Sequence, residues 1–344
     1  MPTTMNRNTY RMVTGLLLCA ALLACDEPKT NAPEKETGWV NLAEAMLMRK
    51  VQCIEMHPAT ATTIYVGLFD GLLKTTDGGK QWYPAEDGLL NRDIKSIAIC
   101  IDNPQRLYCG SWGRGLSRSE DGGGSWASLG GEVVNTLVNG VHMVGQKDDV
   151  IWLATATGIY RKSKAEVNWS SMFKNSRLIL SVTSMPRHPT TLLLGMLYTG
   201  FARTTDDGAR WFYMNEGVQG SGGYFDAPRQ FAFGGSDSSR LYAASESGYF
   251  YLSLNEGVSW QRKFENIAWK NAVAIRTDSR RPDRLYACTS TRIHRSDDAG
   301  LSWTNITDNL PAVTITSFQI ASGNHNTLYL GTKEHGLFKC VESK

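Results

Sequence analysis

The octet TTDGGKQW at residues 75–82 returns as SEDGGGSW at 119–126, TTDDGARW at 204–211, SLNEGVSW at 253–260 and SDDAGLSW at 296–303. Each copy ends on a tryptophan. With Trp39 and Trp169 added, the series Trp39, Trp82, Trp126, Trp169, Trp211, Trp260, Trp303 advances by 43, 44, 43, 42, 49 and 43 residues. A period of ~40–50 residues made of short strands belongs to a propeller blade, a unit that buries its faces only against its neighbours. The expected fold is therefore all-β, a seven-bladed ring.

Outward from each octet lies a second repeated phrase: TTIYVGLFDGLLK, QRLYCGSWGRGLSR, DVIWLATATGIYR, TTLLLGMLYTGFAR, SRLYAASESGYFY, DRLYACTSTRIHR and NTLYLGTKEHGLFK. Each reads as a β-branched and aromatic strand, a short loop usually carrying glycine, and a second strand. Apolar strands ending in proline-containing turns, such as CIEMHP and SMPRHP, precede them. That supplies strands A, B and C seven times over. The seventh copy, from Ile315 to Cys340, runs to the C-terminus with no octet and no fourth strand. The missing strand is expected from GWVNLAEA at 38–45, which matches the sequences that follow the octets and would close the ring, leaving no open sheet edge.

The octet resembles the Asp-box, the bacterial neuraminidase repeat. The resemblance implies a hairpin turn in which Asp77, Asp121, Asp206 and Asp298 bond backbone N–H groups while Trp82, Trp126, Trp211 and Trp303 pack back over the hairpin. Asn255 replaces the aspartate in the copy ending at Trp260 and keeps the side-chain acceptor. The copy at 163–169, SKAEVNW, lacks Asp and Gly, so its turn should be rebuilt. The same aspartates could be read as catalysts or calcium ligands, but the resemblance places them on the outer rim, away from the channel.

The chain has 344 residues, of which the ring accounts for 38–344. Arg7 and Arg11 precede a nine-residue apolar stretch, Leu16 to Ala24, too short to span a bilayer. The sequence Leu22-Leu23-Ala24-Cys25 resembles a bacterial lipobox. That resemblance implies a signal peptide at 1–24, acylation of Cys25 and a polar tether at 25–37 in a lipid-anchored, extracytoplasmic protein. Asp26 favours the periplasmic side of the inner membrane by analogy with enteric bacteria, and the outer membrane is the alternative. After removal of Arg7 and Arg11 the charge is 34 basic against 33 acidic residues, which gives no electrostatic case for nucleic acid. The remaining cysteines, Cys53, Cys100, Cys109, Cys288 and Cys340, show no CxxC or Cys/His ligand spacing, so no metal or cofactor is expected.

Function is expected on the face that gathers the B–C loops and the D–A loops. Phe69, Asp70, Trp112, Arg114, Tyr198, Glu246, Lys333, Glu334 and His335 come from the former; Arg49, Lys50, Arg92, Lys95, Arg177, Arg229 and Lys270 stand at the starts of A strands. These cations suggest a basic, aromatic-edged face for an acidic partner or anionic ligand; the alternative is that lysine and arginine are simply common at loop ends. The long spacing before Trp260 marks a glycine-rich insertion at 215–226, whose Tyr224 and Phe225 should stand on a mobile loop over the same face.

Several families share the box. Sialidases need an Arg-Ile-Pro segment that is missing here. Xyloglucanase-type glycosidases resemble the phrase LYxG…GLxxSxDGGxSW but hold acid and base between two propellers. Sortilin-type receptors have larger propellers and cysteine-rich modules. The architecture of 38–344 is most similar to the photosystem II assembly and stability propellers, which implies a non-catalytic, membrane-anchored scaffold with a protein partner such as a membrane complex. Glycan binding or glycoside hydrolysis is the second reading. For hydrolysis, Asp70, Asp226, Glu246 and Glu334 are the available carboxyls.

Overall fold

Runs such as Ile64–Leu68, Leu107–Ser111 and Leu192–Met196 are apolar without alternation, and all five residues of each are buried. Such strands need cover on both faces. A blade stacked between two others provides it. In a computed structural model the described residues are 38–42, 46, 48–133, 136–144, 150–173, 178–220, 222–234, 240–263, 271–321 and 326–342. The signal segment, Cys25 and the tether lie outside the described residues, as do Arg177 and Lys270.

Seven four-stranded antiparallel sheets form the blades. The first comprises Val51–Met56 (A), Ile64–Leu68 (B), Gly71–Thr75 (C) and Tyr83–Pro84 (D). The remaining A strands are Ile94–Ile99, Val138–Val144, Ile179–Ser184, Pro228–Gly234, Ala272–Asp278 and Ile315–Ile320. Each A strand contacts the next around the circle, and the last contacts the first. Seven apolar clusters make the core, one between each pair of neighbouring blades.

The seventh sheet takes its outer strand from the N-terminus. Trp39–Asn41 pairs with Leu337–Val341 in the register Trp39↔Cys340, Val40↔Lys339 and Asn41↔Phe338. Trp39 also does there what Trp126 does in the second blade. Its indole N–H donates to the Ile306 carbonyl at 3.0 Å, and that of Trp126 donates to the Ala85 carbonyl at 2.8 Å; both acceptors immediately follow the D strand of the preceding blade.

Two further contacts fasten blade to blade. Tyrosines on B strands reach forward: Tyr65 Oη donates to the Gly122 carbonyl at 2.8 Å and Tyr242 Oη to that of Ala299 at 3.1 Å, both acceptors lying in the next blade's octet turn. The B-strand glycines allow the next A strand to approach. A Cβ on Gly110 would press on Val138, one on Gly331 would press on Val51, and one on Gly195 would overlap the Pro228 carbonyl.

Candidate functional site

Antiparallel pairing sends the B–C and D–A connections to one end of the ring and the A–B and C–D connections to the other. The octets occupy the second end. In the first copy, Thr75 Oγ1 donates to Asp77 Oδ1 at 2.7 Å and accepts the Gly79 N–H at 3.1 Å. Asp77 Oδ1 in turn accepts the N–H groups of Lys80 and Gln81. Asp121, Asp206 and Asp298 each accept a backbone N–H from the residue four positions on, and Asn255 accepts that of Ser259 with its amide oxygen. These bonds hold the carboxyl groups ionised, below the usual carboxylate range: Asp206 and Asp298 fall to about 2, and Asp77 and Asp121 are also lowered. The degenerate copy is rebuilt around Glu166, which accepts the Ser163 N–H and pairs with Arg161 at 3.1 Å.

The tryptophans of the octets are packed rather than displayed. Trp126 and Trp260 are buried; Trp82 and Trp303 donate to their own turn glycines, Gly79 and Gly300, at 3.1 and 3.2 Å. Trp211 meets Trp152 of the previous blade edge to face, with ring centroids 6.3 Å apart.

At the opposite end one backbone bond recurs in every blade. The first residue of the B–C connection donates to the residue just before strand A, as in Phe69 N–H to Lys50, Trp112 N–H to Asp93, Leu197 N–H to Leu178, Glu246 N–H to Ala227 and Lys333 N–H to Thr314. The two sets of loops expected to share this face are therefore bonded to one another.

Five of the seven described cations of this face are paired. Arg49 pairs with Asp70 at 2.9 Å, Arg92 with Glu86 at 3.1 Å and Lys333 with Glu334 at 3.2 Å; Arg229 pairs with Glu246. Lys95 pairs with Asp93 at 2.9 Å, donates to Gln52 at 2.7 Å and lies 5.1 Å from the centre of the Trp112 ring. Lys50 and Arg114 are exposed without an ion pair among the described residues. The expected basic face is thus corrected to a largely self-neutralised one, because loop acids, each within 21 residues of its partner, take up most of its charge. His335 stands beside Lys333 in a cleft of about 500 Å³ between the sixth and seventh blades, floored by Ala312, Val313 and Thr314.

The insertion is corrected too. Rather than standing off the surface, it is tied down. Asn215 accepts the Phe201 N–H and donates to the Thr199 carbonyl; Phe225 donates to the Tyr198 carbonyl and forms a bridge with Thr199. Asp226 is buried and accepts the backbone N–H groups of Ala227 and Ser247 and the Tyr251 hydroxyl. That removes Asp226 from the set of available acids. Asp70, Glu246 and Glu334 are held in the ion pairs already described.

What this face displays is aromatic. Phe69 is 60% exposed, Trp112 54%, Tyr198 61%, Tyr224 59% and Phe225 44%. Tyr198 sits at φ 64°, a strained position for a tyrosine, and its ring lies 5.1 Å from that of Tyr224. Tyr198, Tyr224 and Phe225 are gathered at the fourth blade, while Phe69 and Trp112 stand on the first and second.

No family model and no curated protein matches the sequence. Solved structures do match. The xyloglucanase of family GH74 from Xanthomonas campestris is similar over 88% of this chain at 16% identity and a TM-score of 0.67, with the chain spanning about half (53%) of the enzyme. YCF48 bound to a D1 peptide is similar over 89% of this chain and 96% of its own length, at 13% identity and a TM-score of 0.66; YCF48 from Cyanidioschyzon merolae gives 15%, 88%, 99% and 0.65 for identity, the two coverages and TM-score. At these identities the likeness is one of fold. The chain is a seven-bladed β-propeller of the architecture that YCF48 fills almost end to end and that the xyloglucanase contains as part of a longer chain.

Proposed function

We propose that the protein is a lipid-anchored, extracytoplasmic docking protein that holds a segment of a membrane or cell-envelope protein on the face of the B–C and D–A loops, and that it is not a catalyst. One observation carries this reading: the face exposes five aromatic side chains while each of its four candidate carboxyls is tied to a cation or to backbone. Exposed aromatics on a rigid ring are what partner proteins use as anchors. The sequence at 22–25 and the polar stretch after it supply the membrane attachment, with Cys25 as the acylated residue. The fold likeness to YCF48, whose structure carries a peptide, supports a protein ligand.

The test is cross-linking and capture from native membranes. The wild-type protein should retain one stoichiometric partner, and Trp112→Ala with Tyr198→Ala should lose it while melting at the wild-type temperature. A screen of plant and envelope glycans should give neither binding nor hydrolysis. Turnover abolished by Asp70→Asn or Glu246→Gln would replace this reading with a glycosidase.

A further inference from the structure

Two positions before each tryptophan of the repeat, in the turn between strands C and D, stand Lys80, Gly124, Val167, Ala209, Val258 and Leu301, in blades one to six. All six are exposed. The first two blades carry a lysine and a glycine there, and the next four carry only apolar residues. Val167 is 85% exposed and Leu301 90%, more than any aromatic side chain of the docking face. Leu254, on the turn of the fifth blade, is exposed as well. One exposed leucine is ordinary on a protein surface. The same turn position made apolar in four successive blades is an arc along one rim, at the end of the ring opposite the docking face.

The polar groups of these turns are satisfied from within. The N–H groups of Ala209, Val258 and Leu301 donate to the carbonyls of Asp206, Asn255 and Asp298, three residues back. The next N–H in each turn, that of Arg210, Ser259 or Ser302, goes to the side-chain oxygen of the same Asp or Asn. An apolar phase could therefore cover these tips without stranding a backbone donor, which is the usual cost of burying a loop.

The course of the chain says which phase that is. Trp39 pairs with Cys340, the Leu42 N–H donates to the Leu337 carbonyl, and the Asn41 amide reaches the His335 carbonyl at 3.1 Å. The N-terminal strand thus runs toward the B–C connection at 333–336, and the chain enters the seventh blade at Gly38 from the octet end. That entry is one blade on from Leu301, where the arc stops. Residues 26–37 separate Gly38 from Cys25, a reach of about 40–45 Å at full extension. We propose that the arc of Val167, Ala209, Val258 and Leu301 rests in the interfacial layer of the lipid bilayer, with the docking face turned away from it. This rests on the acylation of Cys25 proposed above, and the arc supplies a second, weak membrane contact beside the acyl chains. The docking face then meets parts of a partner that project well beyond the bilayer, such as a soluble tail or domain, rather than loops lying on the lipid.

The test uses the full chain, processed in cells and bound to vesicles of phosphatidylethanolamine and phosphatidylglycerol. An environment-sensitive fluorophore is attached at Leu301→Cys, at Val167→Cys and, at the other end of the sixth blade, at Thr291→Cys. The wild type, whose described cysteines are buried or half-buried, gives the labelling blank. Emission at 301 and 167 should rise severalfold, shift to shorter wavelength and be quenched by lipids spin-labelled near the headgroup, while that at 291 stays as in water. All three positions are exposed, so the labelled proteins should melt at the wild-type temperature. Equal, water-like emission at all three positions on vesicle-bound protein would overturn the proposal and leave the anchor standing. Wild-type protein that floats with vesicles no better than Cys25→Ser would overturn the anchor, and the arrangement with it. Shielding at 301 that grows with protein concentration in the absence of vesicles would give the arc to a second copy of the chain instead.

Discussion

The two ends of the ring use the same kinds of residue to opposite effect. At the octet end, aspartate, serine and threonine are consumed by their own turns, tryptophans are folded inward, and the carboxylates are held ionised by backbone N–H groups. At the loop end, acid and base cancel each other and the aromatics are left in solvent. The first end is spent on holding the blades, and the second retains side chains that a partner can cover. A repeat that recurs faithfully in sequence thus marks scaffolding, whereas the residues that vary from blade to blade form the surface with something to offer.

That contrast can be broken in several ways, the largest at the closure. Trp39→Ala removes a buried indole bonded to Ile306 and should cost about 3–5 kcal/mol; deletion of 38–46 should abolish the cooperative thermal transition altogether. The same truncation at Trp112 should change stability by under ~0.5 kcal/mol, since that ring is half exposed. Equal losses at both sites, measured by chemical denaturation, would erase the distinction between the two ends.

A second effect comes from Glu55 on the first A strand, where desolvation outweighs the opposing charge of Arg276. The folded-state value of about 7 for Glu55 lies above its unfolded value near 4.5. The unfolded chain therefore releases this proton first as pH rises, and stability falls between pH 4.5 and 7, then levels off. Glu55→Gln should remove that slope and leave the protein roughly 3–3.5 kcal/mol more stable at pH 8, at about 1.4 kcal/mol per unit. Denaturant titrations at pH 5 and 8 measure it.

The octet carboxylates carry the reverse sign. Asp206 and Asp298 have folded values of about 2, so their contribution is complete above pH 4 and disappears as pH falls through 2. Asp298→Ala should lower the melting temperature by a few degrees at pH 7 and by almost nothing at pH 2. The smallest effect is expected at Lys50 and Arg114, where charge reversal should leave the melting temperature unchanged while slowing association with an acidic partner and weakening its salt dependence.

Much of the ring was legible because its signals are local. The spacing of Trp82, Trp126 and Trp211, and the match of GWVNLAEA to the strand after each octet, depend on neighbours in the chain, and the observed sheet order follows them. The site was less legible because its outcome depends on pairing. Arg49 finds Asp70 across a hairpin, and Arg229 finds Glu246 by the register of adjacent strands, so a list of loop cations overstates the free charge. The insertion reads as loose from its glycines, but it is pinned by Tyr251 and Asp226, and Tyr251 lies 25 residues beyond that aspartate. Forward-reaching Tyr65 and Tyr242 were visible only as β-formers, since their partners, Gly122 and Ala299, are both 57 residues away. Glu55 and Arg276 sit in otherwise apolar strands and influence each other only because the ring closes.

Joining residues 39–41 to 337–341 also orders events in time. During synthesis the first strand is made hundreds of residues before the one it pairs with, so six blades can stack while the seventh waits for the final stretch of chain. A polypeptide truncated near its C-terminus would expose two unpaired strand edges at once, one on each side of the gap, and would be a ready substrate for proteases and for aggregation.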